Sequence, residues 1–576
     1  MAFDYMAEYR RWMESASLSQ AEREELKALS GNEKELKSRF YAPLEFGTAG
    51  LRGIMGPGLN RMNVYVVRQA TSGLAELIRR EGAGAMERGC VICHDCRNNS
   101  RAFAEAAAEI MAGSGIRTRI FEDMRPTPEL SFAIRKYGAM AGINITASHN
   151  PKEYNGYKVY WEDGAQLPPE HAEKVANVMS ETDILNIPVV KSYKSAVEEG
   201  IISVIGREMD EAFMEAVFAQ CMAKELVARA GDMKIVYTPF HGAGMKLVPE
   251  VLRRMGVKEL FCVPKQMKPD GNFSTVASPN PENPEGFALA EELANEVGAD
   301  ILIGTDPDSD RIGVMIRGRD GAFHQISGNK MGVLLIDYII TSRKKSGTLP
   351  ENAAVLKTIV TTDMARAAAE KNGAACFETF TGFKFMAERM KQFEQDGSYT
   401  PIFAYEESYG CLIGDFVRDK DAVTASAMMV EMAAYYHLQG RSLLDAIDEL
   451  YEKYGFYDEK TINIVMPGVD GIERRHSLMR KLHEKIPDTF GGRRVTAYRD
   501  YLAGTERGCG GEVRRLELHG SDVIVCVLDD GSRVAVRPSG TEPKIKIYIL
   551  VCGSSKDDCM RKLEECEASA KLLAEM

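Results

Sequence analysis

Several features are scarce in this chain, and each scarcity excludes a class of protein. No apolar run reaches the roughly 18 residues of a membrane span, because the best candidate, 332–340, is interrupted by Asp337. Cysteines number 12 in 576 residues, too thinly spread for a disulfide framework. The net charge of -12 argues against nucleic acid or an anionic membrane as a partner. The first residues show no signal-peptide pattern, so a reduced, cytoplasmic protein is expected.

What is present is typical of a globular enzyme with several domains. Apolar residues make up 45% and charged residues 27% of the chain. A chain of 576 residues is too long to fold around a single hydrophobic core, so three to five domains are expected. Short apolar strands alternate with amphipathic helices in three successive blocks, which predicts mainly parallel sheets. The last block differs, because 523–527 and 534–536 flank a turn and predict an antiparallel hairpin.

The predicted fold class is therefore α/β, with three similar α/β domains of mixed, mainly parallel sheets and a smaller C-terminal α+β domain. The predicted domains are 1–205, 206–323, 324–456 and 457–576. The first begins with helical segments that include 22–40, and Ser554 is predicted to cap the final helix of the last. In such sheets ligands collect beyond the carboxyl ends of the strands, where the most polar loops of this chain fall.

One cysteine cluster has a spacing that resembles half of a zinc site. Cys90, Cys93, His94 and Cys96 lie within seven residues. However, this segment predicts a short buried strand, and side chains on a strand alternate in direction. No second pair of ligands follows in the sequence. Structural packing is therefore favoured over metal binding.

Three aspartates follow an apolar, strand-like segment at alternate positions. Asp306, Asp308 and Asp310 can turn their carboxylates toward one point in an extended loop, as a hard cation requires. An EF-hand calcium loop is disfavoured, because its glycine and final glutamate are missing. A solvated acidic turn is the other alternative. The pattern predicts a Mg²⁺ site that a substrate phosphate completes.

A second strand-like segment, 141–145, ends in a loop that contains a hydroxyl nucleophile. Ser148 is followed by His149, which can orient it or receive its proton. Lys158 lies ten residues further on and can shuttle a proton if its surroundings lower its pKa. A surface serine and a solvated lysine are the alternatives.

Two further loops carry groups that recognise a ligand. Glu406 and Ser408 follow a third strand-like segment and can bind adjacent sugar hydroxyls, although a partly buried acidic pair with Glu407 explains the same residues. Near the C-terminus a guanidinium, two hydroxyls and loop N–H groups predict a phosphate clamp, with an ordinary turn as the alternative. The residues of this clamp are Arg537, Ser539, Gly540 and Thr541.

These four loops, in this order, resemble those of the α-D-phosphohexomutase superfamily, which includes phosphoglucomutases and phosphomannomutases. The matching segments are the phosphoserine loop 146–151, the metal loop 306–311, the sugar-binding loop 406–408 and the phosphate loop 537–543. Supporting matches are 47–53, 95–97, Ser100 and 381–384. The resemblance spans nearly the whole chain.

The resemblance implies four domains around a central cleft and an enzyme phosphorylated on Ser148. The phosphoryl group passes to a sugar monophosphate, and the other phosphate of the resulting bisphosphate returns to Ser148. One Mg²⁺ per chain is implied between the phosphoserine and the three aspartates. Arg311 is expected to contact the transferring group, and Arg52 and Lys158 to assist, Lys158 as acid or base. The residues expected to bind substrate are Thr381, Gly382, Lys384, Glu406, Ser408, Arg537, Ser539, Gly540 and Thr541.

Length and the segments 46–52 and 405–410 look most like the longer phosphoglucomutases, a branch that also contains phosphopentomutases. Tyr409-Gly410 stands where many members have Gly-His, so one wall of the sugar pocket differs. The expected activity interconverts glucose 1-phosphate and glucose 6-phosphate, with glucose 1,6-bisphosphate as intermediate and activator. Phosphopentomutase and phosphomannomutase are the alternatives, followed by a non-catalytic sugar-phosphate-binding relative and an aspartate-dependent phosphatase. A monomer or homodimer is expected.

Overall fold

The computed structural model describes residues 4–47, 50–466, 468–539 and 544–575. Contacts divide the chain into two units, Met1–Ile326 with Tyr409–Gly440, and Ser327–Ser408 with Arg441–Met576. Within the described residues, no helix combines the length and the apolar character that crossing a membrane would require.

The first block contains a mixed six-stranded sheet in the order β1-β5-β4-β2-β3-β6. Strand β2 runs parallel to β3 and β4, whereas β5 runs antiparallel to β4 and β1. The elements are α1 (Tyr5–Glu14), α2 (Gln20–Ala28), α3 (Glu33–Phe40), β1 (Leu51–Ile54), α4 (Val64–Arg80), α5 (Ala83–Arg88), β2 (Cys90–His94), α6 (Ser100–Gly113), β3 (Thr118–Phe121), α7 (Thr127–Tyr137), β4 (Ala141–Ile145), β5 (Tyr154–Trp161), α8 (Pro169–Glu181), α9 (Tyr193–Glu198) and β6 (Ile202–Ile205).

The second block contains a five-stranded sheet in the order β11-β10-β9-β7-β8, in which β7 runs parallel to β8 and β9. The elements are α10 (Arg207–Gln220), α11 (Glu225–Arg229), β7 (Lys234–Thr238), α12 (Gly244–Arg254), β8 (Glu259–Cys262), a 3-10 turn (Pro284–Phe287), α13 (Ala288–Val297), β9 (Ile301–Thr305), β10 (Ile312–Arg317) and β11 (Phe323–Gln325).

The third block has β12 at the centre of its sheet, parallel to β13 on one side and β14 on the other. The elements are α14 (Gly328–Ser346), β12 (Ala353–Thr358), α15 (Met364–Lys371), β13 (Ala375–Thr379), α16 (Phe383–Asp396), β14 (Thr400–Tyr405), β15 (Cys411–Ile413), α17 (Ala422–His437) and α18 (Leu443–Tyr454). Helix α17 belongs to the first unit, where it packs on α10, α11 and α12.

The fourth block is an antiparallel sheet in the order β16-β23-β22-β21-β18-β19-β20, with β17 paired to β18. The elements are β16 (Phe456–Val465), α19 (Gly468–Glu484), β17 (Thr489–Phe490), β18 (Arg493–Asp500), β19 (Thr505–Gly508), β20 (Val513–Arg515), β21 (Ile524–Leu528), β22 (Arg533–Pro538), β23 (Lys544–Gly553) and α20 (Lys556–Glu575). The predicted class is confirmed: three α/β domains with mixed, mainly parallel sheets precede a C-terminal domain built on an antiparallel sheet.

Strand β22 is covered on both faces of the fourth sheet, and its successive side chains point to opposite faces. Val534 and Val536 join a core that includes residues of α19 and α20. Ala535 points the other way, into a cluster that contains Ile359 and Phe380 of the third block. The third and fourth blocks therefore share an apolar core within the second unit.

One local prediction was confirmed in outline and one was wrong. The segment 22–40 is helical but divided into α2 and α3, because the side chain of Asn32 accepts the N–H of Glu35 and starts a new helix after Gly31. The final helix is capped by Ser555 rather than by Ser554, since the Ser555 hydroxyl accepts the Asp558 N–H at 3.1 Å.

A histidine between two carboxylates makes the stability of the fourth block pH-dependent. His483 contacts Asp500 through Nδ1 and Asp522 through Nε2, each at 2.8 Å, so both ring nitrogens donate only in the imidazolium form. Burial lowers the pKa of His483, but Asp522 and Asp500 outweigh it and raise the pKa above its ordinary value. Its contribution to stability is therefore complete below the unfolded pKa of about 6.5 and is lost as pH rises through the higher folded value.

We expect the melting temperature of the wild-type chain to fall between about pH 6 and pH 9, and His483→Gln to flatten this slope. Differential scanning calorimetry across that range measures both. His476→Gln is the matched control, because His476 is exposed on the same helix. A His483→Gln profile that parallels the wild type contradicts the assignment.

Candidate active site

The loop after β4 is held in a specific shape by buried polar side chains. The Ser148 N–H donates to Thr146 Oγ1 at 2.8 Å, and the Thr146 hydroxyl donates to Asp95 Oδ2 at 2.6 Å. Arg97 donates to the carbonyl oxygens of four residues of this segment and is itself paired with Asp95. Those four residues are Ser148, Asn150, Pro151 and Tyr154.

These hydrogen bonds with Thr146 and Arg97 hold Ser148 in an unfavourable backbone conformation. Its φ is 52°, in the left-handed region that non-glycine residues avoid at a cost of about 1–3 kcal/mol. The Ser148 Oγ donates to Asp306 Oδ2 at 2.8 Å and lies 3.1 Å from His149 Nδ1. The serine hydroxyl is thus directed at the aspartate loop.

The surroundings of His149 disfavour its charged form. Burial, followed by the nearby positive charges of Arg311 and Arg52, holds the pKa of His149 well below its ordinary value. The imidazole lies beside the Ser148 hydroxyl, where it can orient that group.

The loop after β9 gathers the three aspartates, whose carboxylate oxygens lie within 4.8 Å of one another. All three residues are buried. Burial and the neighbouring carboxylates of Asp308 and Asp310 raise the pKa of Asp306 well above its ordinary value. Burial also opposes ionisation of Asp308, but the Lys158 ammonium outweighs it and holds that pKa below the ordinary value.

These oxygens fit a divalent cation. Asp308 Oδ1 and Asp310 Oδ1 are buried, and neither finds a hydrogen-bond partner among the described residues. An unpaired buried carboxylate oxygen is costly, and a hard cation with oxygen ligands removes that cost. Elsewhere in the described chain, histidine, cysteine and acidic side chains form no other metal-sized group. Cys90 and Cys93 instead pack into different apolar clusters.

Two buried lysines balance the carboxylates, and the sequence analysis identified only one. Lys158 Nζ lies 2.7 Å from Asp308 Oδ2, and Lys420 Nζ lies 2.9 Å from Asp310 Oδ2. Burial lowers the pKa of Lys158, but Asp308 and Asp310 outweigh it, so the net shift is upward.

Lys420 reaches the aspartates because the chain returns to the first unit before α17. The Ala422 N–H donates to the Ser309 carbonyl at 3.1 Å, which fixes the preceding residues against the metal loop. A signal was present in the sequence: the charged run 418–421 follows the apolar segment 411–413. All four residues of that run are buried.

The two arginines expected to assist transfer lie beside the same loops. Arg52 donates to Asn150 Oδ1 at 3.1 Å, next to the serine loop. Arg311 pairs with Glu282 at 2.9 Å, while its backbone N–H donates to Asp306 Oδ1. The first unit thus brings together the predicted nucleophile, the aspartates and the candidate assisting cations.

The second unit brings together the candidate sugar-binding residues. Glu406 follows β14 and accepts the Gly382 N–H through Oε1 at 2.8 Å. The Thr381 Oγ1 is buried without a hydrogen-bond partner among the described residues, and burial lowers the pKa of Lys384. Ser408 is half-buried. Glu407 accepts the Thr358 hydroxyl at 3.1 Å, so it has a structural partner.

Two of the four residues of the predicted phosphate clamp, Arg537 and Ser539, lie within the described structure. Arg537 lies near the end of β22, and the Ser539 N–H donates to the Lys544 carbonyl at 2.9 Å. Both residues are half-buried. Gly540 and Thr541 lie outside the described residues.

Comparisons with known proteins agree with this arrangement. Four phosphoglucomutase/phosphomannomutase family models match in order: alpha/beta/alpha domain I at 43–185, domain II at 211–319, domain III at 327–454 and the C-terminal domain at 495–558. A protein named "Phosphoglucomutase" from Staphylococcus aureus (strain MRSA252) is 34% identical over 533 residues, which cover 92% of this chain and 93% of the relative.

Solved structures share the fold at lower identity. The open form of parafusin, a phosphoglucomutase from Paramecium, has a TM-score of 0.67 at 18% identity and covers 93% of this chain and 95% of its own. A phosphoglucomutase/phosphomannomutase family protein from Burkholderia thailandensis has a TM-score of 0.64 at 17% identity, with coverages of 92% and 97%.

Proposed function

Because the chain belongs to the phosphoglucomutase/phosphomannomutase family, we propose that it interconverts α-D-glucose 1-phosphate and D-glucose 6-phosphate. It is an intramolecular phosphotransferase of the isomerase class. The observation that carries the proposal is the Ser148 hydroxyl directed at Asp306 in a buried triad of aspartates. Binding alone requires no such nucleophile.

Ser148 is the proposed phosphoryl carrier. Starting from phosphoserine, the sugar hydroxyl oxygen bonds to phosphorus as the bond between phosphorus and Ser148 Oγ breaks, and the sugar hydroxyl proton ends on Ser148 Oγ, which yields glucose 1,6-bisphosphate. In the second half, Ser148 Oγ bonds to the phosphorus of the other phosphate as the bond between that phosphorus and the sugar oxygen breaks, and the Ser148 proton ends on the sugar oxygen. His149 Nδ1, 3.1 Å from Ser148 Oγ, is proposed to orient the hydroxyl. Lys158, whose Nζ lies 2.7 Å from Asp308 Oδ2, is proposed to stabilise phosphoryl charge and to serve as acid or base in the proton transfers.

One Mg²⁺ per chain is the proposed metal, held by Asp306, Asp308, Asp310 and the phosphorylated Ser148. When bound, it supplies a Lewis acid that neutralises charge on the transferring phosphoryl group. Two carboxylate oxygens without hydrogen-bond partners in the described chain support this assignment. Arg311 and Arg52 are proposed to contact the same phosphoryl group.

The loops of the second unit are proposed to recognise the substrate. Glu406 and Ser408 accept and donate hydrogen bonds to sugar hydroxyls, with help from the loop that contains Thr381, Gly382 and Lys384. The distal phosphate is assigned to Arg537, Ser539, Gly540 and Thr541. We also propose the division 1–205, 206–323, 324–456 and 457–576, which is supported by the end of β6 at Ile205 and the start of β16 at Phe456.

The acidic chain is further proposed to be a cytoplasmic monomer or homodimer without nucleic-acid or membrane partners, which its net charge of -12 supports.

A substrate panel tests the function. We expect purified protein with Mg²⁺ and a trace of glucose 1,6-bisphosphate to prefer glucose 1-phosphate over mannose 1-phosphate and ribose 1-phosphate in kcat/KM by at least about 10-fold, the scale of discrimination that pocket contacts supply. Product is measured as glucose 6-phosphate by a coupled dehydrogenase and, for the other sugars, by NMR. A preference for ribose 1-phosphate reassigns the chain to pentose phosphates, and net release of inorganic phosphate contradicts mutase chemistry.

A further inference from the structure

A buried threonine at the start of α7 contacts the metal loop at two points. The Thr127 N–H donates to the Asp308 carbonyl at 2.8 Å, and the Thr127 hydroxyl donates to Asp308 Oδ2 at 2.9 Å. The first contact satisfies a helix N-terminal N–H that has no partner within the helix. Thr127 is fully buried, so neither contact is exposed to water.

A third residue fixes the direction of the hydroxyl. Asn144 Nδ2 donates to Thr127 Oγ1 at 2.8 Å. Because a hydroxyl has one proton and Asn144 supplies a donor, the Thr127 proton is directed to Asp308. The reverse amide orientation would draw that proton to Asn144 and set the hydroxyl lone pairs against the carboxylate. The relay therefore runs from Asn144 through Thr127 to Asp308.

We infer that Asn144 and Thr127 are positioning residues that set the carboxylate of Asp308 for the cation. Thr127 and Lys158 both engage Oδ2, which leaves Oδ1 as the oxygen without a hydrogen-bond partner among the described residues. Lys158 alone has a flexible side chain, so it sets the distance between its Nζ and Asp308 Oδ2 but not the orientation of the carboxylate plane. A second donor from a rigid helix start fixes that plane, as partners of metal ligands commonly do.

The relay also links the two catalytic loops. Asn144 lies on β4, the strand that leads to Ser148, while Asp308 lies in the loop that ends β9. Two hydrogen bonds thus connect the strand that precedes the nucleophile loop to a proposed metal ligand. Thr127→Val removes both side-chain bonds at nearly constant volume, whereas Thr127→Ser keeps them.

This inference rests on the proposed function, so its test measures metal binding directly and does not depend on turnover. Mn²⁺ replaces Mg²⁺ as the probe, and the free ion is quantified by electron paramagnetic resonance on the full-length protein. We expect Thr127→Val to weaken Mn²⁺ binding by about 10- to 100-fold and Thr127→Ser by less than about 3-fold. The apparent Mg²⁺ constant for turnover should rise with it, while KM for sugar phosphate stays within about twofold.

Thr71→Val is the matched control, because Thr71 is a buried threonine of the same unit whose hydroxyl bonds Val67 and Tyr157. Mn²⁺ binding by Thr127→Val within about twofold of wild type, or an equal loss in Thr71→Val, overturns the inference. If Thr127→Val does not fold, Asn144→Ala decides: weakening of about threefold or more supports the relay, and unchanged binding overturns it. A wild-type chain that binds no Mn²⁺ overturns the proposed metal site itself, and this inference with it.

Discussion

Ser148→Ala is expected to lower mutase turnover by at least about 10⁴-fold, because it removes the atom that carries the phosphoryl group. Sugar-phosphate binding should persist, since Glu406, Arg537 and the other proposed recognition residues are unchanged. Turnover is followed from glucose 1-phosphate with a coupled dehydrogenase, and binding of glucose 6-phosphate is followed by isothermal titration calorimetry. Alanine takes the same backbone conformation at φ 52° with a cost similar to that of serine, so folding should be little affected.

Ser426→Ala is the control for this experiment. Ser426 is a buried serine in α17 whose hydroxyl donates to the Ala422 carbonyl, and its loss should leave turnover within about twofold of wild type. Turnover in Ser148→Ala above about a hundredth of wild type would show that another group accepts the phosphoryl. The loss of both turnover and sugar-phosphate binding would instead place Ser148 in the binding site alone.

The catalytic loops were predictable because strand and loop are encoded in adjacent residues. The segment 301–304 is continuously apolar, as a strand covered on both faces must be, and the first of the three aspartates follows after Thr305. The same logic located Ser148 after β4 and Glu406 after β14. The turn between 523–527 and 534–536 likewise predicted an antiparallel hairpin, and the structure pairs β21 with β22 in this way.

The residues that the sequence analysis missed act through contacts between distant parts of the chain. Lys420 is 110 positions from Asp310, and Thr127 is 181 positions from Asp308, so no local spacing connects either pair. The role of Asn144 could not be predicted either, because an asparagine inside a strand indicates only a buried polar group. The direction of the pKa shift of Lys158 also could not be predicted from the sequence, because it depends on which carboxylates surround the ammonium.

Asp308→Asn is expected to lower turnover by about 10³-fold or more at millimolar Mg²⁺ and to weaken Mn²⁺ binding by at least about 100-fold. The change removes one of three charges that the cation requires. Its neutral amide can place a donor where Oδ1 would bind the metal. Lys158 also loses its closest carboxylate, so burial should lower the pKa of its ammonium. Electron paramagnetic resonance measures the metal, and the coupled assay measures turnover.

Asp320→Asn is the matched control, because Asp320 belongs to the same block but is exposed and pairs with His324 rather than with the metal loop. Its metal affinity should stay within about twofold of wild type. Wild-type Mn²⁺ affinity in Asp308→Asn would contradict the assignment of the metal site.

The double variant Ser148→Ala/Asp308→Asn tests whether Ser148 and Asp308 act in the same catalytic step or contribute to turnover independently. If Asp308 acts by assisting transfer to and from Ser148, removing it from a chain that already lacks the serine should cost little more turnover. Residual turnover in the double variant should then lie within about threefold of Ser148→Ala. Its Mn²⁺ affinity should be no higher than that of Asp308→Asn alone, since the double variant also lacks Ser148, the fourth proposed ligand. Additive losses in turnover would instead mean that the metal loop supports a reaction in which Ser148 takes no part.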